Sequence, residues 1–236
     1  MSWIRLRQIA LVAADLESVV RDLHEAYGLE IAFRDPGVAR FGLHNAVLPV
    51  GNQFIEVVAP TREGTAAGRQ LERLGGDGGY MVICHTDDQP AVRRRAEALG
   101  VRTVVDAQDH DGYRIMQLHP SDTGGSFLEI DWQPGGEDPD GPWGPAGADW
   151  QRARRTDVVS GITAVEVQAR DPQRTAERWA AITGCPSTDG RLELDNATVL
   201  FVEGPVDSLV SVTLAAADAE RRGEQRTICG VRVALT

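Results

Sequence analysis

The sequence predicts an α+β protein made of tandem βαβββ modules used in two pairs, the last module truncated. Three observations carry this. A strand ending in an acidic residue, then an amphipathic helix stopped by glycine, occurs three times in full and once in worn form. Further β-like runs follow each full helix. A segment rich in proline, glycine and tryptophan parts the second copy from the third.

In copy one, Gln8 to Asp15 reads as the strand. Leu16, Val19, Val20, Leu23 and Tyr27 recur at helical spacing, with Asp15 placed as N-cap and Gly28 as the stop. The β-like runs are Glu30 to Arg34, Ala39 to Leu43, Ala46 to Val50 and Gln53 to Val58, with turns at Pro36-Gly37 and Gly51-Asn52. Copy two has the strand Met81 to Asp88 and a helix through Val92, Ala96 and Leu99 up to Gly100. Its runs are Arg102 to Val105, Tyr113 to Leu118 and Phe127 to Trp132. Copy three starts at Ala164 to Asp171, carries Ala176, Trp179, Ala180 and Ile182 on its helix, and ends with Arg191 to Leu194 and Thr198 to Glu203. The worn fourth copy starts at Ser211 to Asp218, has only a short helix, and closes with Val231 to Leu235.

A unit this small with exposed strand edges is unstable alone, so the copies pair. The expected division is a first domain over 1–134, with modules at 1–60 and 78–134. A linker over 135–156 and a second, degenerate domain over 157–236 complete the chain. Prolines and glycines keep the linker out of helix and central strand, while Trp143 and Trp150 mark it as packing against a surface. Gly75 to Gly79 reads as a flexible connection between copies one and two.

Composition narrows the function. The 236 residues are 42% hydrophobic and 25% charged, ordinary values for a globular chain with a core. The net charge is -11, which repels nucleic acid and anionic membranes. No run approaches a membrane span and no secretory leader is evident, so a cytoplasmic location is expected. Every basic residue is arginine; without lysine there is no Schiff base and no attached pyridoxal phosphate (PLP). The glycines match neither GxGxxG nor a P-loop, so no nucleotide cofactor is expected. Cys84, Cys185 and Cys229 are spaced as unpaired buried hydrophobes. Arg93-Arg94-Arg95 reads as a solvated helix face.

The paired βαβββ repeat resembles the vicinal oxygen chelate (VOC) superfamily, which includes glyoxalase I, extradiol dioxygenases and bleomycin-resistance proteins. Val47-Leu48-Pro49-Val50-Gly51, Ile55 to Thr61, Leu118 to Gly125 and Phe127 to Ile130 resemble the matching stretches of methylmalonyl-CoA epimerase-type glyoxalase-like domains. The resemblance implies two half-barrel cups, each built by a pair of modules. It also implies four side chains, one from the first and one from the last strand of each module, around a divalent metal that polarises a substrate oxygen. Gln8 and Met81 each lie seven residues before an anchoring aspartate, Asp15 or Asp88, and Glu56 and Glu129 each lie 41 after it. The candidate quartet is therefore Gln8, Met81, Glu56 and Glu129.

Here the sequence departs from the family, which usually has histidine at the two first-strand positions. Gln8, Glu56 and Glu129 are the candidate metal ligands, whereas the Met81 thioether is too soft for Zn, Mg, Mn or Ni beside carboxylates. Without a metal, Glu56 and Glu129 form the candidate catalytic acid–base pair, one of them protonated near neutral pH. Gln8, Met81 and His44 are the candidate substrate-binding residues, His44 being the histidine expected to face the cup. His85 is expected at the rim or in the next layer, His119 and His110 in loops, and His24 on a solvated helix face. In the second pair Ala164, Ser211 and Phe201 fall at ligand positions, which leaves no quartet there.

The expected function is small-molecule binding in the N-terminal cup, with an isomerase, epimerase or lyase reaction next to a carbonyl. The missing histidines argue against true glyoxalase I, methylmalonyl-CoA epimerase or extradiol dioxygenase activity. The alternative is a non-catalytic binding protein of the drug-sequestering kind, for which an acid-lined cup suits a cationic, partly aromatic ligand. A self-contained monomer and a homodimer both fit four modules with a worn edge.

Overall fold

The protein is described by a computed structural model covering residues 2–109 and 111–236. The first half runs β1 (Ile4–Val12), α1 (Leu16–Tyr27), β2 (Leu43–Val50), β3 (Gln53–Pro60), α2 (Ala66–Leu74), β4 (Gly78–Thr86), α3 (Gln89–Ala98), β5 (Thr103–Gln108), β6 (Arg114–Leu118), α4 (Pro120–Thr123) and β7 (Phe127–Asp131). The second half runs β8 (Val159–Ala169), α5 (Pro172–Thr183), β9 (Ser187–Thr188), β10 (Arg191–Glu193), β11 (Thr198–Glu203), β12 (Ser208–Ala216), β13 (Gln225–Ile228) and β14 (Val231–Leu235).

The recurring aspartate works in the same way in each full module. Asp15, Asp88 and Asp171 close a strand, and each side chain accepts from the first free backbone N–H groups of the helix that follows. Each half then forms one seven-stranded sheet, in the orders β2-β3-β1-β4-β7-β6-β5 and β13-β14-β12-β8-β11-β10-β9. Within a module the first and last strands are parallel, and the two modules of a pair meet antiparallel at β1–β4 and β8–β12. These are the two glyoxalase-like cups. The truncated fourth module has only a 3-10 turn, Ala219–Arg221, where the others have a helix.

Strand parity separates two layers. Ile9, Leu11, Ile55, Val57, Val82 and Cys84 face the helices and join Val165, Val167 and Val212 of the second sheet in one core. Ala10, Val12, Phe54, Val58, Met81 and Ile83 face the first cup. The halves are further locked by amides: Gln53 donates to the Ile162 carbonyl at 2.9 Å and accepts its N–H at 2.7 Å. Asn196 pairs the same way with Leu6, at 3.0 and 2.8 Å.

Several local expectations are corrected. Ala39 to Leu43 is mostly a 3-10 helix, Pro36–Phe41, started by Asp35 accepting from the Gly37 N–H and ended by Gly42. Glu30 to Arg34 keeps only the single bridge Phe33–Val47. Gly75 to Gly79 is not a loose connection: Gly75 ends α2, an unforeseen helix, and Gly78 and Gly79 are buried within β4. A Cβ on Gly79 would lie 2.0 Å from the Leu209 carbonyl oxygen, so close sheet contact demands glycine there. No helix among the described residues is long and apolar enough to cross a membrane.

Residues 133–156 form a strap across the first cup. Trp143 and Trp150 are each only 1% exposed. The strap is fixed by two buried arginines of β1. Arg7 donates to the Asn52 and Pro139 carbonyls, both at 2.5 Å, and its guanidinium lies over Phe54, Trp143 and Trp150. Arg5 donates to the Gly136 carbonyl. Burial, then the neighbouring Arg5, pushes the Arg7 pKa down to about 9.

Candidate functional site

The first cup encloses a cavity of about 1380 Å³. Gln8, Glu56, Met81 and Glu129 all line it, brought together by β1, β3, β4 and β7. Two irregularities adjust the lining. The β1–β4 register shifts between Leu6 and Gln8, at Arg7, and again opposite Tyr80. Such a bulge re-aims a side chain. Tyr80 thus joins Met81 on the cup side instead of alternating away from it.

Glu56 is buried between two amides. Gln8 Nε2 donates to Oε2 at 2.9 Å, and Asn45 Nδ2 donates to Oε1 at 2.6 Å. Both amides are oriented by groups that can only donate. The Trp143 indole N–H gives to Gln8 Oε1 at 2.8 Å, and the Asp35 backbone N–H gives to Asn45 Oδ1 at 2.8 Å. Burial raises the Glu56 pKa, and the two amide donors oppose that rise.

Glu129 sits differently. Gln117 Nε2 donates to its Oε2 at 3.2 Å and contacts Met81 Sδ at 3.7 Å. Its carboxyl is hydrogen-bonded to Asp131, two residues along the same face. Asp131 is fully buried and accepts from Tyr113 Oη and from the Met116 N–H at 3.3 Å. Burial, then the adjacent Asp131, lifts the Glu129 carboxyl well above the usual carboxylate range, and burial lifts Asp131 too. Two such groups in contact resist ionising together, which favours retention of a proton between them.

The other candidates scatter. His44 is exposed on β2 and points away from the cup, because it pairs with Ala59 while Asn45, opposite Val58, has the inward parity. The expectation that His44 faces the cup is therefore corrected, and Asn45 occupies that role. His85 is buried under the strap against Trp3 and Trp143, and burial followed by Arg5 and Arg7 pushes its pKa down to about 3. His119 caps α4 at the mouth, and His24 lies exposed on α1. His110 lies outside the described residues. In the second cup, Ala10–Glu56 in the first sheet corresponds to Glu166–Leu200 in the second. Leu200, not Phe201, thus matches Glu56; Phe201 turns to the other face and packs on Trp179 at 5.2 Å. Glu166 there is tied to Arg232 by two bonds of 2.7 Å. Cys84, Cys185 and Cys229 are unpaired thiols.

The donor set does not fit a divalent cation. The Gln8 carbonyl oxygen accepts from Trp143 and both Glu56 oxygens accept amide N–H groups, so neutral donors order these side chains. Met81 offers a thioether. Among the described residues no three His, Cys, Asp or Glu side chains gather as a metal-holding group. Sequence reasoning missed Asn45, Tyr80, Tyr113, Gln117 and Asp131. Strand parity from Glu129 pointed to Asp131; the bulge that turns Tyr80 inward left no sequence signal.

These features are those of the vicinal oxygen chelate superfamily. The family model described as "Glyoxalase-like domain" matches residues 9–183, and the chain belongs to that family. Among solved structures, a hypothetical protein from Staphylococcus aureus matches over 99% of both chains at 16% identity with a TM-score of 0.71, a likeness of fold. Streptomyces coelicolor methylmalonyl-CoA epimerase in complex with 2-nitronate-propionyl-CoA is 26% identical over 55% of this chain and 96% of its own, with a TM-score of 0.49. Methylmalonyl-CoA epimerase from Mycobacterium tuberculosis is 26% identical over 54% and 87%, with a TM-score of 0.48. No curated protein matches the chain.

Proposed function

We propose that the N-terminal cup binds a small molecule directly, through its own carboxyls and aromatic wall, without a metal between protein and ligand. The carrying observation is the chain Trp143–Gln8–Glu56–Asn45, in which neutral donors already order the carboxyl that a cation would otherwise hold, with a thioether at the fourth position. A cavity of about 1380 Å³ gives ample room for a small ligand, and its wall is largely apolar apart from a few convergent polar groups. The test is a thermal-shift screen of small molecules on protein stripped of metal, repeated with Mn, Zn or Ni added. Hits that shift the melting temperature equally with and without metal are expected. Binding that appears only with a divalent cation overturns the reading.

One observation favours a second reading, proton transfer beside a carbonyl. Glu129 lines the cavity with Asp131 buried beside it, and their raised pKa values suit the pair to take a proton from a carbon acid and return it. Deuterium uptake from D₂O into α-keto acids or thioesters, lost in Glu129→Gln, supports catalysis. Ligand binding with no exchange leaves binding as the function.

A further inference from the structure

Tyr80 is only 6% exposed, lines the cavity, and packs edge-on against Phe127 at 5.2 Å. Its ring is held, yet its hydroxyl has no hydrogen-bond partner among the described residues. The oxygen is not among the buried unpaired atoms; it opens onto the cavity, where a ligand can reach it. Glu56 and Glu129 lie near enough to raise its pKa beyond the effect of burial, to about 12. So an open hydroxyl faces the same space as both carboxyls.

None of Glu56, Glu129 and Asp131 has an arginine or histidine partner among the described residues; their partners are amides, a phenol, a backbone N–H and each other. The floor therefore presents acidic groups that no basic side chain among the described residues partners, and an incoming cation would draw them into their charged form. The mouth differs: Arg40, Arg69 and Arg73 share it with Asp35, Asp109 and Asp207, so charges of both signs meet there. Charge selection thus falls to the floor. Above it, Tyr80, Phe127 and Trp143 present aromatic surface suited to a cation's flank.

We propose that the ligand of this cup is an aromatic or aliphatic organic amine bound as its ammonium, whose N–H groups meet Tyr80 Oη and the Glu129 carboxyl. This rests on the reading of the cup as a direct small-molecule site and names its ligand class. A primary ammonium brings three donors and a positive charge, which meet the open phenol oxygen and stabilise the charged form of the carboxyls together.

The test uses three naphthalene probes on the full chain by titration calorimetry: 1-naphthylmethylamine, 1-naphthylmethanol and 1-naphthylacetate. They carry charges of about +1, 0 and -1 at neutral pH on one ring system. The amine is expected to bind about tenfold or more tighter than the alcohol, and the acetate weakest. Tyr80→Phe and Glu129→Gln should each weaken the amine several-fold while leaving the alcohol unchanged, a pattern that general loss of structure does not give. Equal or tighter binding of the alcohol or acetate overturns the amine assignment alone, as does an amine affinity that neither substitution moves. Failure of all three probes at millimolar concentration overturns the direct-binding reading beneath it.

Discussion

Replacing Trp143 by phenylalanine tests the central chain of the site. The indole is buried, donates to Gln8 Oε1 at 2.8 Å, and lies edge-on to Tyr113 at 5.4 Å and parallel to Phe54 at 6.4 Å. Phenylalanine keeps a ring but removes the N–H. The Gln8 carbonyl is then orphaned, at about 1–3 kcal/mol, and the smaller ring leaves a void costing about 1–2 kcal/mol more. The loss expected for Trp143→Phe is about 2–5 kcal/mol. Most of the polar part should vanish when Gln8 is leucine, since no carbonyl is then left unsatisfied. A double-mutant cycle of Trp143→Phe and Gln8→Leu should therefore show a coupling of at least about 1 kcal/mol. Urea unfolding followed by far-ultraviolet circular dichroism measures it, provided the denaturant slope is unchanged. Additivity within about 0.5 kcal/mol refutes the claim that Trp143 orients Gln8, and with it the objection to a metal.

Two further outcomes follow from the carboxyls. Glu129 and Asp131 have folded pKa values raised above their unfolded ones, so the folded state keeps a proton that the unfolded state has lost. Their stabilising contribution is full below the unfolded values near pH 4 and falls as pH rises toward neutral, by up to about 1.4 kcal/mol per unit per proton. Glu129→Gln can still accept from Gln117 and donate to Asp131, so it should flatten the decline; parallel stability curves between pH 5 and 8 would show that no proton is shared. On β2, His44→Ala should change stability by no more than about 0.5 kcal/mol and leave ligand affinity alone, whereas Asn45→Ala should cost about 1–3 kcal/mol. Reversal of that order in calorimetry or unfolding would contradict the strand parity of β2.

Much of the architecture was legible because it repeats. An acidic cap, an apolar helix face and a glycine stop are local signals, and three full copies at matching offsets compound them. The same offsets placed Gln8, Glu56, Met81 and Glu129 on one cavity wall. What failed depended on contacts far along the chain. Parity from Glu56 runs through the β2–β3 pairing, whose register sets Asn45 inward and His44 outward. Phe201 was misplaced by one position, a slip that turns a strand side chain to the other face, and the parallel β8–β11 register selects Leu200. Tyr80 turns inward through a bulge, which hydrophobic alternation does not encode. Trp143 was legible as a packed residue, but its hydrogen bond crosses 135 positions of sequence.

The strap changes what this floor can discriminate. A divalent cation would order Gln8 and the two glutamates by charge and would cancel that charge in doing so. Here neutral donors do the ordering: Trp143 and the Asp35 backbone fix two amides, and the amides fix Glu56. The geometry is pinned, but the acidity of the floor is left for a ligand to draw on. Among the described residues Arg5 and Arg7, also on β1, make no ion pair with the floor; their guanidinium groups are held by strap and turn carbonyls. Moving either guanidinium toward the floor would strip it of those carbonyls and release the strap. On the amine proposal, order without neutralisation is what would let the cup select the sign of its ligand, because charge acts more strongly in a low-dielectric cavity than on an open surface.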